Sequence, residues 1–328
     1  MSTQPEGTQV DGLRLPISRM VLGTMTFGDT VDEATAGRMV NEALDAGITT
    51  IDTANSYVGG TTEEMLSRLL KGRGDVILAS KAGITHADHG ENSPLSPAGL
   101  RNSVEGSLRR LGVERLDLFY LHQPDRATSL HETLRTVADL VAEGKIGALG
   151  VSNFAAWQID DVIQVASEVG APRPVVAQQL YNLVARRVEE EYLEFAATHH
   201  VHTMVYNPLG GGLLTGKHSF DAKPATGRYG DSKLAAMYTR RYWDRQLFNA
   251  VDELTRIAQN AGITLAELSL RWLAYRDGVG SVLLGGSKVE QLRANIAAVA
   301  NGPLPADILE ASDAIGAGLR GPMPAYNR

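Results

Sequence analysis

Short, almost continuously apolar runs recur along the chain, and stretches with apolar residues at helical spacing separate them. The runs are Met20–Thr24, Thr49–Thr53, Val76–Lys81, Leu116–His122, Ala148–Ser152, Val175–Leu180, Thr203–Tyr206 and Ser281–Leu284. Continuous rather than alternating apolarity marks parallel strands buried on both faces. Helical patterns fall at Glu33–Ala46, Thr61–Leu70, Pro97–Leu111, Ser129–Glu143, Trp157–Glu168 and Glu189–His199. Ser96–Pro97 gives one of them an N-cap with proline in the first turn, and Gly47 stops another. Strands and helices in this alternation predict an α/β fold in which the sheet closes on itself, a (β/α)8 TIM barrel.

Two segments interrupt the repeat. Within residues 1–18, Val10-Asp11-Gly12-Leu13 carries the Asp-Gly of a tight turn and predicts a small β-hairpin across the barrel's bottom. The stretch 218–245, after the seventh strand, is long, glycine-containing and aromatic, as functional loops are. No linker divides the chain, so 1–328 reads as one barrel domain.

Composition narrows the function classes. With no cysteine, thiolate chemistry and Cys-ligated metals are excluded, and a reducing compartment, the cytoplasm, is expected. The net charge of -7 and scattered Lys and Arg argue against nucleic-acid binding. No stretch reaches the ~20 apolar residues of a membrane span, and the first residues form no secretory signal.

In such barrels the chemistry gathers where strands end. Reading those ends gives Asp52, Lys81, His122, Ser152–Asn153, Gln178 and Tyr206–Asn207, with Tyr57 in the loop after Asp52. A charged residue after an apolar run is often just where a strand meets water. Four ionisable residues at three consecutive strand ends point further, because the fold would bring them to one spot. Lys81 could lower the pKa of Tyr57, Asp52 could hold the lysine, and His122 could bond a substrate oxygen. That set suits proton donation to a carbonyl oxygen gaining negative charge.

Other patterns resolve into blander readings. Gly211-Gly212-Leu213-Leu214-Thr215-Gly216-Lys217 fits G-x-x-x-x-G-K, but His218 stands where a magnesium-binding Ser or Thr belongs. No G-x-G-x-x-G occurs. His199-His200-x-His202 and the pair His86 and His89 read as turn and loop residues, so no metal is expected.

The blocks Ile51-Asp52-Thr53-Ala54 with Tyr57, Lys81, Asp117-Leu118-Phe119-Tyr120-Leu121-His122 and Gly150-Val151-Ser152-Asn153-Phe154 resemble the aldo-keto reductase superfamily. The resemblance begins at Val21-Leu22-Gly23-Thr24-Met25 and runs almost to the C-terminus. Tyr206-Asn207-Pro208-Leu209 through Lys217, Gly227-Arg228-Tyr229-Gly230, Tyr238 to Trp243 and Ala325-Tyr326-Asn327-Arg328 make it most similar to the aflatoxin-aldehyde and succinic-semialdehyde reductase branch.

The resemblance implies Asp52, Tyr57, Lys81 and His122 as the catalytic residues and NADPH/NADP+ as the cofactor. It places Thr24, Met25 and Asp52 among the cofactor contacts. Ser152, Asn153 and Gln178 would hold the carboxamide, and Tyr206 would stack on the nicotinamide. Asn207, Pro208, Leu209, Gly210, Gly212 and Lys217 would wrap the pyrophosphate, with Arg228 over it. Ser287, Lys288, Gln291 and Asn295 would take the adenosine end, Lys288 favouring a 2′-phosphate; Ala294 departs from the branch's polar residue there.

Tyr57, His122, Tyr238, Arg241 and Arg328 would meet the substrate. Two arginines suit a carboxylate, hence acid-aldehydes such as succinic semialdehyde. Reduction of a keto-sugar or natural-product ketone, and a NADP-binding regulatory subunit with little catalysis, are the alternatives. A small-molecule carbonyl is the expected partner, and the branch often forms homodimers.

Overall fold

In a computed structural model, which describes residues 7–321, all eight apolar runs form strands. They are β1 (Met20–Gly23), β2 (Thr50–Asp52), β3 (Ile77–Ala82), β4 (Leu116–Leu121), β5 (Ile146–Ser152), β6 (Pro174–Leu180), β7 (His202–Tyr206) and β8 (Ser281–Leu284). Neighbours pair in parallel, and β8 pairs back with β1 through Met20↔Val282, closing the barrel in the order β1 to β8. The predicted (β/α)8 architecture is therefore the one observed.

The chain divides into two compact units. The first takes in the chain to Gln179, Glu191–Tyr206 and Gly278–Ile296, and holds the barrel. Its helices are α1 (Glu33–Asp45), α2 (Thr61–Leu69), α3 (Pro97–Leu111), α4 (Leu130–Ala142), α5 (Ala156–Val169) and α6 (Tyr192–Thr198). Local chemistry sets their ends. Asp32 caps α1 by accepting from Thr35 N, Ser96 caps α3 ahead of Pro97, and left-handed Gly112 stops α3.

Residues pointing inward fill the barrel's lower part. Ile77, Ala79, Leu118, Tyr120, Ala148, Val176 and Met204 pack there against Val10, Leu13 and Ile17 of the N-terminal segment. An antiparallel bridge between Thr8 and Ile17 makes that segment the expected plug, within its described residues. Arg14 of this plug bonds Asp117 and the carbonyls of Gly74 and Val76. Residues needed for chemistry are thereby left to the opposite ends of the strands.

The second unit comprises Leu180–Glu190, Asn207–Asp277 and the chain from Ala297. It contains α7 (Ala235–Tyr242), α8 (Arg245–Asn260), α9 (Leu265–Ala274) and α11 (Ala306–Gly318); α10 (Val289–Ala300) begins in the first unit. The segment 218–245, read as one long loop, thus carries a 3-10 turn at Gly227–Tyr229 and the helix α7. Likewise the single helix expected over Glu189–His199 is broken. Arg187–Glu189 form a 3-10 turn, and Glu191, at φ −155°, separates it from α6.

Candidate active site

The ends of β2, β3 and β4 deliver three of the expected groups to one place. Asp52 closes β2, Lys81 is the penultimate residue of β3, and His122 follows β4. Asp52 and Lys81 are wholly buried and paired. The ammonium spends all its donors: on Asp52 Oδ1, on the Thr53 carbonyl at 2.8 Å and on the Tyr57 hydroxyl at 3.4 Å. Because the lysine donates to Tyr57 Oη, the phenolic proton is not spent on that contact. Burial works against the Lys81 charge, but contact with Asp52 and with Tyr57 outweighs it and holds the ammonium above its ordinary pKa.

His122 meets Tyr57 edge-on, with ring centroids 6.1 Å apart. Burial first, and the Lys81 charge second, push its pKa down to about 3. It is therefore a neutral imidazole at physiological pH, with one N–H to donate. Its Nδ1 is buried and has no protein partner among the described residues.

Neighbouring residues fix this cluster. Gln178 donates from Nε2 to the second Asp52 oxygen at 2.9 Å. Thr24 Oγ1 donates to the Asp52 carbonyl at 2.9 Å, so it braces the end of β2. Tyr120 lies buried beneath, with Lys81 Nζ 5.6 Å from its ring centre. Gly150 makes room for that ring, since a Cβ there would fall 2.5 Å from Tyr120 Cδ1.

A second group forms at the ends of β5 and β7. Asn153 takes a left-handed φ of 61°, which asparagine tolerates better than most residues. It donates to the His122 carbonyl at 3.0 Å and to Ser152 Oγ at 3.1 Å, and accepts from the Tyr206 hydroxyl at 2.6 Å. A flat ring anchored by its hydroxyl, beside amide and hydroxyl groups, suits an aromatic ring bearing a carboxamide. After β8, Ser287 donates from backbone and side chain to Gln291 Oε1, and Asn295 donates to the Gly285 carbonyl. Lys288 is exposed, and Met25 is half-buried.

The remaining expected residues belong to the second unit. Asn207, at φ 63°, accepts from Gly211 N at 2.7 Å and donates to the Tyr242 hydroxyl at 2.8 Å. After Pro208 and Leu209, Gly210, Gly211 and Gly212 all take positive φ. A Cβ on Gly212 would lie 3.5 Å from His218 Nε2 and 3.9 Å from Lys217 Nζ, so the bare backbone faces two cationic or donor groups. This is a donor set that fits an anion. Arg228 lies over the Tyr238 ring at 5.3 Å. Tyr238 itself is only 5% exposed, wedged against Gly211 and stacked on Tyr242. Arg241 is half-buried and makes no salt bridge among the described residues. Arg328 lies outside the described residues.

Two of the decoy histidines find local partners. His202 opens β7 and bonds Ser281, and His86 pairs with Asp88. Sequence reasoning did not find the residues behind the Tyr57 loop, chiefly buried Glu63 and Arg110 paired to it. Their only signals are the Gly59-Gly60 pair after Tyr57 and a carboxylate in the first turn of α2.

A phenol with its proton unspent on the lysine, a buried ammonium–carboxylate pair and a neutral imidazole define a proton-transferring site for an oxygen that gains or loses charge. An (β/α)8 barrel with that site is the kind of protein that interconverts carbonyls and alcohols. The Aldo/keto reductase family model matches residues 19–317. The chain belongs to the aldo/keto reductase family and is an oxidoreductase acting on carbonyl and alcohol groups.

Among its relatives is Aflatoxin B1 aldehyde reductase member 2 of Mus musculus, 36% identical over 89% of this chain and 83% of that protein. Aldo-keto reductase family 7 member A3 of Homo sapiens is 35% identical, over 89% of this chain and 91% of its own. A probable voltage-gated potassium channel subunit beta of Oryza sativa subsp. japonica is 31% identical, over 88% of each. Aldehyde or ketone reduction is the activity these matches support, and a nicotinamide cofactor is general in the family.

Proposed function

We propose that this protein reduces aldehydes or ketones to alcohols with NADPH, and that acid-aldehydes such as succinic semialdehyde are its preferred class. One observation carries the reading: Tyr57 Oη accepts from the buried Lys81 ammonium at 3.4 Å, while neutral His122 stands beside it. NADPH supplies the hydride when bound. Ser152, Asn153, Gln178 and Tyr206 would hold its nicotinamide end, and Ser287, Lys288, Gln291 and Asn295 its adenosine end. Asn207, Pro208, Leu209, Gly210, Gly212, Lys217 and Arg228 would meet the pyrophosphate, and Thr24 and Met25 would line the ring's surroundings.

The residues' own part is proton handling. His122 donates an N–H to the carbonyl oxygen and sets its position. Tyr57 passes its proton to that oxygen as negative charge builds. Lys81 and Asp52 stabilise the phenolate left behind, and Gln178 keeps Asp52 turned toward the lysine. Such acid catalysis contributes on the order of 100- to 10,000-fold.

The substrate preference rests on Arg241, a half-buried guanidinium without a salt bridge among the described residues. A carboxylate on the substrate would satisfy it, with a charge-assisted bond of roughly 1.5–3 kcal/mol. NADPH oxidation should therefore run about 10- to 100-fold faster in kcat/KM with succinic semialdehyde than with an uncharged aldehyde of similar length. Arg241→Gln should erase the difference. Equal kcat/KM for both in the unmodified protein would contradict the preference, and a keto-sugar or other ketone turned over faster than either would redirect it.

The channel-subunit relative supports a second reading, a NADP-binding regulatory protein with slow catalysis. Multiple-turnover NADPH oxidation with aldehydes separates the two. Cytoplasmic work fits both, and no helix of the described residues is long and apolar enough to cross a membrane.

A further inference from the structure

The loop that carries Tyr57 is built in an unfavourable conformation. Val58, the next residue, sits at φ 49° and ψ 37°, in the left-handed region. A β-branched side chain there is a genuine outlier, of a kind that persists only when its surroundings impose it. Gly59 and Gly60 continue the turn at φ 62° and 95°, and α2 starts at the next residue. Three consecutive left-handed residues therefore set the direction in which Tyr57 leaves the loop.

Beneath this turn lies a mostly buried charged cluster outside the catalytic group. Gly60 rests directly on Arg110 of α3, and a Cβ on that glycine would fall 2.7 Å from Arg110 Cδ and 2.8 Å from Nε. Arg110 cannot yield. Its Nε donates to Glu63 at 2.8 Å, and its two terminal nitrogens grip Asp88 at 2.9 and 2.7 Å. Glu63, wholly buried in the first turn of α2, accepts from Ser80 Oγ at 2.6 Å through its other oxygen. Ser80 is the residue before Lys81. The cluster thus joins the loop of Tyr57 to the strand of Lys81 by one guanidinium and one carboxylate.

We infer that Arg110 and Glu63 are positioning residues that hold the Tyr57 hydroxyl at the Lys81 ammonium, by clamping the left-handed turn Val58–Gly60 between α2 and α3. The inference rests on Tyr57 being the proton donor of the proposed reaction. A misplacement of the acid by about 1 Å costs on the order of 100-fold in rate while leaving the bound ligands' contacts in place. Loosening the clamp should accordingly appear in kcat and not in KM.

The test compares Arg110→Ala, Arg110→Lys, Glu63→Gln and Gly60→Ala with Tyr57→Phe in the full chain. For each, kcat and KM are measured with NADPH and an aldehyde, and NADPH affinity by fluorescence. Arg110→Ala and Gly60→Ala should lose roughly 10- to 100-fold in kcat, with both KM values and NADPH affinity within about threefold of the parent.

Glu63→Gln, which keeps the shape, should lose less, and Arg110→Lys should recover part of the loss. Should Arg110→Ala fail to fold, Arg110→Lys and Gly60→Ala carry the comparison alone. Unchanged kcat in folded Arg110 and Gly60 variants, beside an inactive Tyr57→Phe, would overturn the positioning role only. So would kcat and KM worsening together with NADPH affinity, the pattern of a general structural loss. An active Tyr57→Phe would instead bring down the reading of the site, and this inference with it.

Discussion

Two charge clusters in this molecule look alike in composition and differ in what they leave unspent. In the second unit, Arg186 grips Glu189 with two bonds of 2.8 and 3.0 Å and reaches Asp313 at 3.0 Å. Arg276 meets Asp313 at 2.6 Å, Arg320 and Tyr181 also bond Glu189, and Trp272 donates to Asp313. Both Arg186 and Arg276 lie over the Trp272 ring, at 5.0 and 4.9 Å. Each carboxylate oxygen there is taken by arginine, tyrosine or tryptophan. In the barrel, by contrast, the Asp52–Lys81 pair reaches through the ammonium to a phenol, beside a neutral imidazole whose Nδ1 has no partner among the described residues. Closed charge is a staple between chain segments, whereas charge that ends on a titratable hydroxyl can act on a ligand.

Five substitutions sharpen that contrast. Lys81→Met should cost on the order of 100- to 10,000-fold in kcat. The double change Lys81→Met with Asp52→Asn should stay as inactive, yet unfold within about 2 kcal/mol of the parent in urea, since replacing both partners of a buried pair is often near neutral. A stability loss as large as that of a half-broken pair would make the barrel cluster a staple too.

Arg186→Met should behave in the opposite way. Losing its bonds to Glu189 and Asp313, which keep Arg276 and Arg320, costs about 1.5–3 kcal/mol in denaturant, with kcat per folded molecule unchanged. Acid titration gives the third contrast. His122 and His202 are buried and neutral, with pKa values down to about 3 and about 4. The unfolded chain binds their protons near pH 6.5, so stability falls as pH drops from 6.5 toward 3 and is level above that window. His122→Phe should reduce the stability difference between pH 7 and 4.5 by about 2–3 kcal/mol. The exposed pair Arg68–Glu33 should matter least, and Arg68→Ala should leave the melting temperature unchanged.

The barrel was legible because burial on both faces leaves a continuous apolar run, and Ser281–Leu284 agrees to the residue. The helices after β7 were not. In α8 the buried Phe248, Val251, Leu254 and Ala258 do repeat at helical spacing, but no strand closes off that stretch. Asp52, Tyr57, Lys81 and His122 were readable as strand-end residues because the fold rule brings such ends together. Glu63 and Arg110 were not, since a carboxylate in a first turn and an arginine in a last turn look like ordinary helix-end charges. Only tertiary packing reveals that Glu63 is buried and that Arg110 is its partner. Tyr238 illustrates the reverse case: expected at the substrate, it is mostly packed among aromatic rings in its own unit.

The most direct test of the central claim is single-turnover NADPH oxidation by Tyr57→Phe with a saturating aldehyde, run beside NADPH binding. The account predicts unchanged NADPH affinity and a rate lower by on the order of 1,000- to 10,000-fold. Retention of most of the single-turnover rate would contradict it.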